Sequence, residues 1–118
     1  MWLLSLMAYH STSLAALFHA LSDPTRLAVT EALCDGPQPV SRLAAPHDMA
    51  LPSFLKHLKV LEAAGVTTSE KQGRTRIVAL RTERLAEGQD WFAERRRLWS
   101  DRFDALEAHL DRTQETPK

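Results

Sequence analysis

The chain has 118 residues, is 44% hydrophobic and 25% charged, and carries a formal net charge of zero. That length bounds it to one domain with a modest core, and the charge balance excludes a surface that is basic all over. The single cysteine, Cys34, excludes an intramolecular disulfide and suits a reducing cytoplasm.

In chain order, the apolar run Met1 to Ala8 is too short to span a bilayer, and no Lys or Arg precedes it as a signal peptide requires. It reads as an extension of the first helix, a loose arm, or residues added by an upstream start site, and no membrane partner is expected. Ser13 is placed to cap a helix whose apolar stripe is Leu14, Leu17, Phe18 and Leu21. With so few charges that helix is expected to be buried or to meet another subunit. Asp23-Pro24-Thr25-Arg26 is a helix start, with Asp23 as cap and Pro24 in the first turn. Leu27, Ala28 and Leu33 are expected to point inward, and Asp35-Gly36-Pro37 ends the helix. Val40 to Ala45 is a short helix carrying Val40, Leu43 and Ala44, broken by Pro46-His47-Asp48.

The most informative stretch is Leu51 to Arg81. Leu51, Leu55, Leu58 and Leu61 recur at helical spacing and are expected to form the inward face, with Phe54 at its flank. Ser53, Lys56, His57 and Lys59 fall largely off that face. Pro52 is tolerable only in the first turn and Gly65 is a left-handed stop, so the helix runs over about 51–64. The pattern then changes to period two: a β-hairpin over about 66–80, turning at Gln72-Gly73, places Lys71, Arg74 and Arg76 at its tip. Residues 51–81 hold six basic and two acidic residues, net +4, while 1–50 and 82–118 are each net −2. Two short helices joined tightly, the second basic, describe a helix-turn-helix. A locally focused positive field of this kind can hold phosphates, so the second helix is expected to read DNA with the hairpin as its wing.

Residues 83–110 read as one long helix. Phe92, Trp99, Phe103, Leu106 and Leu110 stand at intervals of seven, four, three and four, with Trp91 and Leu98 beside them. A domain of this size has little core left to cover such a stripe, so pairing with a second copy is expected, through this helix and the first. The expected interface is Leu14, Leu17, Phe18, Trp91, Phe92, Trp99, Phe103, Leu106 and Leu110. The other reading of the stripe is a cap on the domain's own core, and Trp91, Trp99 and Phe103 are also candidates to line an organic-ligand pocket.

Several features point to ordinary roles. Cys34 is expected to pack inertly, as free cysteines mostly do. His10, His19, His47, His57 and His109 show no ligand spacing. Arg95-Arg96-Arg97 wraps around its helix and is expected to pair with acids such as Asp90, Glu94 and Asp101. No nucleophile with a base partner, phosphate-cradling glycine loop or paired carboxylates suggests an enzyme.

Taken together, LSDPTRLAVTEAL at 21–33, HLKVLEAAGV at 57–66 and KQGRTRIVAL at 71–80 resemble the ArsR/SmtB family of winged-helix repressors, over about Leu17 to Leu110. The resemblance implies a mainly α fold with a β-hairpin wing, a winged helix-turn-helix dimerising through its first and last helices. It implies a homodimer on an imperfect inverted-repeat operator in double-stranded DNA, blocking transcription and often released by an effector. Matched to the family's base-reading positions are Leu51, Pro52, Ser53, Lys56 and His57, with Arg74 and Arg76 matched to its wing. The chain departs from the family's Ser- and Gln-rich pattern at Leu51-Pro52, neither of which can donate a hydrogen bond from its side chain. It departs again at the metal positions, since Val40 to Ala45 has no cysteine pair. Asp101, Asp104, Glu107 and His109 of the last helix do not form the family's Asp and His ligand pattern. The reading is therefore a homodimeric repressor with no cofactor or resident metal. The alternatives are a dimeric interaction or ligand-sensing module, or a metal- or redox-responsive repressor.

Overall fold

The computed structural model describes residues 14–114. The expected cap Ser13 and the run Met1 to Ala8 lie outside the described residues. The described elements are α1 (14–21), α2 (Pro24–Ala32), a 3-10 turn (Leu33–Asp35), β1 (Gln38–Pro39), α3 (Val40–Ala44), α4 (Leu51–Ala63), β2 (Thr67–Gln72), β3 (Thr75–Leu80) and α5 (Thr82–Gln114). Contacts divide the chain into two units, Met1–Gly88 and Gln89–Lys118, and α5 has residues in both.

In the first unit, Leu17, Ala20, Val29, Leu33, Leu43, Phe54, Leu58, Leu61, Val66 and Val78 form one buried cluster. Leu17 is only 1% exposed. It is spent on this chain's own core, the buried one of the two places expected for its helix, which leaves it little surface for the predicted interface. Gly88 makes room for it: a Cβ there would meet a Leu17 methyl at 3.1 Å. The inward side of α2 is also rotated from expectation. Val29 and Thr30 are buried while Leu27 is 44% exposed, because the Thr30 hydroxyl donates to the Arg26 carbonyl and so can turn inward with its polar atom satisfied.

Asp23 caps α2 as expected, its carboxylate accepting from the N–H groups of Thr25 and Arg26. A strand absent from the sequence reading follows: Gln38 and Pro39 pair antiparallel with Val78 and Ile77, making a three-stranded sheet in the order β1-β3-β2. Two residues give no periodicity to detect, and Pro39 is acceptable because β1 lies at the sheet edge. The hairpin loop is Gly73-Arg74, since Gln72 pairs with Thr75. This moves the turn one residue beyond the expected Gln72-Gly73, because Gly73, at φ 66°, supplies the positive φ that a tight hairpin needs in its first loop position.

The end of α4 is locked twice. Gly65, at φ 79°, is left-handed; its N–H donates to the Glu62 carbonyl, and the N–H of Val66 to that of Leu61, which is a Schellman closure with both Leu61 and Val66 buried. From α5, Arg84 Nε donates to the Ala64 carbonyl at 2.7 Å, and its guanidinium also pairs with Glu87. Nothing in the sequence reading singled out Arg84.

Gly65→Ala is expected to cost about 1–2 kcal/mol, because a left-handed residue gains a Cβ. That Cβ would also stand 3.3 Å from Arg84 Nε. Urea denaturation checks this, and a variant as stable as the parent would refute the double lock.

Candidate nucleic-acid interface

The α3–α4 pair is held by its short turn and by Phe54. That ring is fully buried and stacks on His47 of the turn at 5.5 Å between centroids. Phe54, Leu58 and Leu61 are the inward side of α4. Leu51 and Leu55 are 55% and 40% exposed, so the inward stripe is rotated toward Phe54, which was expected only at its flank. The Phe54 ring fills the space beneath the turn, packed against His47. Leu51, Pro52, Ser53, Lys56 and Lys59 consequently lie exposed together on the outward side.

His57 sits differently from its outward-facing neighbours. Its Nδ1 is 3.1 Å from a terminal guanidinium nitrogen of Arg26 and 3.6 Å from the Asp23 carboxylate. Arginine can only donate, so in the shorter contact Nδ1 stands as the acceptor. Arg26 Nε also donates to the Ala20 carbonyl at 2.8 Å, and its other nitrogen to that of His19 at 3.3 Å. One guanidinium therefore ties the end of α1 and the start of α2 to the middle of α4. With its side chain 23% exposed, His57 is occupied by this clasp, which corrects its place among freely outward-facing groups.

On the wing, Lys71, Arg74 and Arg76 are exposed and, with Ser69, line one hollow. Lys71 and Arg76 are direct cross-strand partners, an arrangement of like charges that destabilises a ladder unless a counter-charge relieves it. Arg76 Nε donates to Ser69 Oγ at 3.1 Å. Ion pairs made by Arg include Arg81–Glu83, Arg84–Glu87 and Arg97–Glu94. Among the described residues Lys56, Lys59, Lys71, Arg74 and Arg76 have no carboxylate partner. Those three pairs lie from residue 81 onward, whereas these five cations cluster on α4 and the wing.

The remaining predicted residues fall in both units. In the first unit Leu14 and Phe18 are half-buried; in the second Trp91 is half-buried, and Phe92, Trp99, Phe103, Leu106 and Leu110 are 51–66% exposed. Arg95 lies 4.8 Å over the Trp91 ring, an aromatic contact in place of the expected acid partner, while Arg97 pairs with Glu94 as expected. Cys34 is exposed rather than packed, its thiol 3.5 Å from the Thr30 carbonyl, because the 3-10 turn swings it off the buried side. No three His, Cys, Asp or Glu side chains converge among the described residues. No helix among them is long and apolar enough to cross a membrane.

A helix-turn-helix domain family matches residues 21–70. The HTH-type transcriptional repressor SmtB of Mycobacterium tuberculosis is 36% identical over 70 residues, covering 59% of this chain and 52% of that protein. The chain therefore spans about half the length of that relative. A crystal structure of the ArsR family transcriptional regulator RHA00566 superposes with a TM-score of 0.73 at 47% identity, over 76% of this chain and 93% of that one. The homodimeric winged helix-turn-helix DNA-binding domain of Mb0332 from Mycobacterium bovis shares the fold at 21% identity, with a TM-score of 0.62 over 90% of this chain and 89% of its own.

The cap and clasp give the site an acid dependence. The Arg26 N–H, then the His57 charge and the Thr25 N–H, hold the Asp23 carboxyl below its ordinary range against an opposing desolvation effect. A depressed folded pKa contributes stability that is present above the unfolded value, about 3.9, and is lost as pH falls through the folded one. Asp23→Asn keeps a capping oxygen without a titrating group. Its urea midpoint is expected to fall less than that of the parent as pH is lowered below about 4; equal falls would remove Asp23 from the acid response.

Proposed function

The chain belongs to the ArsR family of transcriptional regulators, and on that premise we propose that it is a homodimeric repressor that binds an inverted-repeat operator without a resident metal. The observation that carries this reading is the set of five unpaired cations on the exposed side of α4 and on the wing. In this reading the 118 residues act as one winged helix-turn-helix domain in a reducing cytoplasm. The 13 residues of α4 span about 20 Å, and a helix of that bulk fits the major groove. Ser53 and Lys56 then meet base edges near the helix start, and Leu51 and Pro52 offer apolar contact to thymine methyls. Lys59 and the wing cations Lys71, Arg74 and Arg76 hold phosphates or reach the adjacent minor groove. His57 acts by fixing the rotation of α4 through Arg26, so its contribution to binding is one of position.

The exposed stripe Phe92, Trp99, Phe103, Leu106 and Leu110 supports pairing with a second copy, together with Trp91, Leu14 and Phe18. Aromatic and leucine side chains at this density are costly to leave in water. A two-fold pair presents the same side of α4 twice, as a palindromic operator requires, with half-sites about 34–36 Å apart. The metal-independent reading rests on the sequence, in which Val40 to Ala45 has no cysteine pair and Asp101, Asp104, Glu107 and His109 do not form the family's ligand pattern.

Lys56→Ala and Arg74→Ala are each expected to weaken operator affinity by roughly tenfold. The wing variant should lose affinity about equally on all sequences and show a salt slope shallower by about one unit. Fluorescence anisotropy at several salt concentrations measures both, and two unchanged variants would defeat the reading. Separately, Phe103→Glu is expected to convert the dimer to monomers in sedimentation velocity while leaving the helix content intact. A dimer that survives Phe103→Glu and Trp99→Glu together would remove the stripe from the interface.

A further inference from the structure

Between α4 and the wing lies a cleft of about 280 Å³ that DNA contacts do not explain. Its floor and wall are apolar: Leu58 and Val78 are 8% and 2% exposed, and Leu55, 40% exposed, stands open at its side. Its polar lining includes Lys59, Arg76, Ser69 and Glu62. Ser69 bridges Arg76 and Glu62, accepting from Arg76 Nε at 3.1 Å and donating to a Glu62 oxygen at 3.4 Å. Among the described residues neither Lys59 nor Arg76 has a carboxylate partner, so two cations and one carboxylate leave a single positive charge beside an apolar hollow.

We propose that this cleft binds a small monocarboxylate with an apolar body, such as an aryl or short acyl acid, its carboxylate on Arg76 and Lys59 and its body against Leu55, Leu58 and Val78. The volume lies just below the range of about 300–1,000 Å³ typical of drug-sized ligands, which limits the body to one ring or a short chain. Charge complementarity selects an anion over a neutral molecule, because a charge-assisted hydrogen bond to Arg or Lys is about twice as strong as a neutral one. The apolar wall selects against acetate or phosphate, which would leave Leu55 in water. The consequence for regulation rests on the proposed function: Lys59 and Arg76 are cations that would otherwise hold DNA phosphates, so the acid and the operator compete for them. Binding linked in this way is reciprocal, each partner weakening the other.

The site itself is testable without DNA. The ¹⁵N-labelled full chain is titrated with benzoate, with benzyl alcohol as the uncharged body and acetate as the bodiless charge, and amide shifts are followed. Saturable benzoate shifts confined to the middle of α4 and the facing strands are expected, with both controls at least about tenfold weaker. Arg76→Gln should weaken benzoate by about tenfold, and Glu62→Gln should strengthen it by removing the opposing carboxylate. Shifts that do not saturate, that map elsewhere, that benzyl alcohol reproduces, or that both variants leave unchanged would overturn the site. A second titration measures operator affinity by anisotropy with and without benzoate. Weakened operator binding is expected, and unaltered affinity at saturating benzoate would overturn the competition. Benzoate binding in a protein that ignores DNA would leave the cleft standing and defeat the repressor reading; operator binding without benzoate binding would do the reverse.

Discussion

The burial of Phe54, Leu58 and Leu61 on one side of α4 is the constraint from which the exposed side takes its composition. A helix that seats a phenylalanine beneath the α3–α4 turn has its rotation fixed to within a fraction of a residue step, because interiors pack too densely to accept another. Removing such a ring typically costs about 3–5 kcal/mol. Once Phe54 is in, Ser53, Lys56 and Lys59 have no inward place left. Three contacts hold the same rotation at separate points: the His47 stack at the start, the Arg26–His57 clasp in the middle, and the Schellman closure with Arg84 at the end. The basic surface is thus a consequence of the core.

Charge placement on that surface departs from what stability alone would select. Lys71 and Arg76 face each other across a ladder, and three wing cations share one hollow, while acids are spent on pairing Arg81, Arg84 and Arg97. Self-repulsion of this kind is relieved when a polyanion arrives and its counterions leave. The same reasoning accounts for a neutral chain having a strongly positive face: the acidic remainder limits indiscriminate adhesion while the local field steers association.

Much of this was legible in the sequence wherever one residue type has a single backbone use. Asp23-Pro24 marked the start of α2, and Gly65 the end of α4, because capping chemistry is local. The chain's place in its family was legible from three motifs at fixed intervals. What escaped was set by tertiary contact. The rotation of α4 depended on whether leucine or phenylalanine filled a particular space, and periodicity treats both as apolar. The two-residue strand Gln38–Pro39 exists because β3 offers it an edge. The clasp joins Asp23 and Arg26 to His57, 31 residues beyond Arg26, and the Arg84 lock spans 20 residues; neither spacing carries a local signal. Cys34, which composition alone would bury, is exposed because a 3-10 turn follows α2.

In the proposed function α4 and the wing together read DNA without a metal. Anisotropy of the purified protein on labelled duplex from immediately upstream of its own gene, against a scrambled duplex, with chelator present and at near-physiological salt, tests it most directly. Tight, salt-sensitive binding that prefers the upstream sequence is expected. Equally weak binding to both duplexes, restored by no added metal, would contradict it.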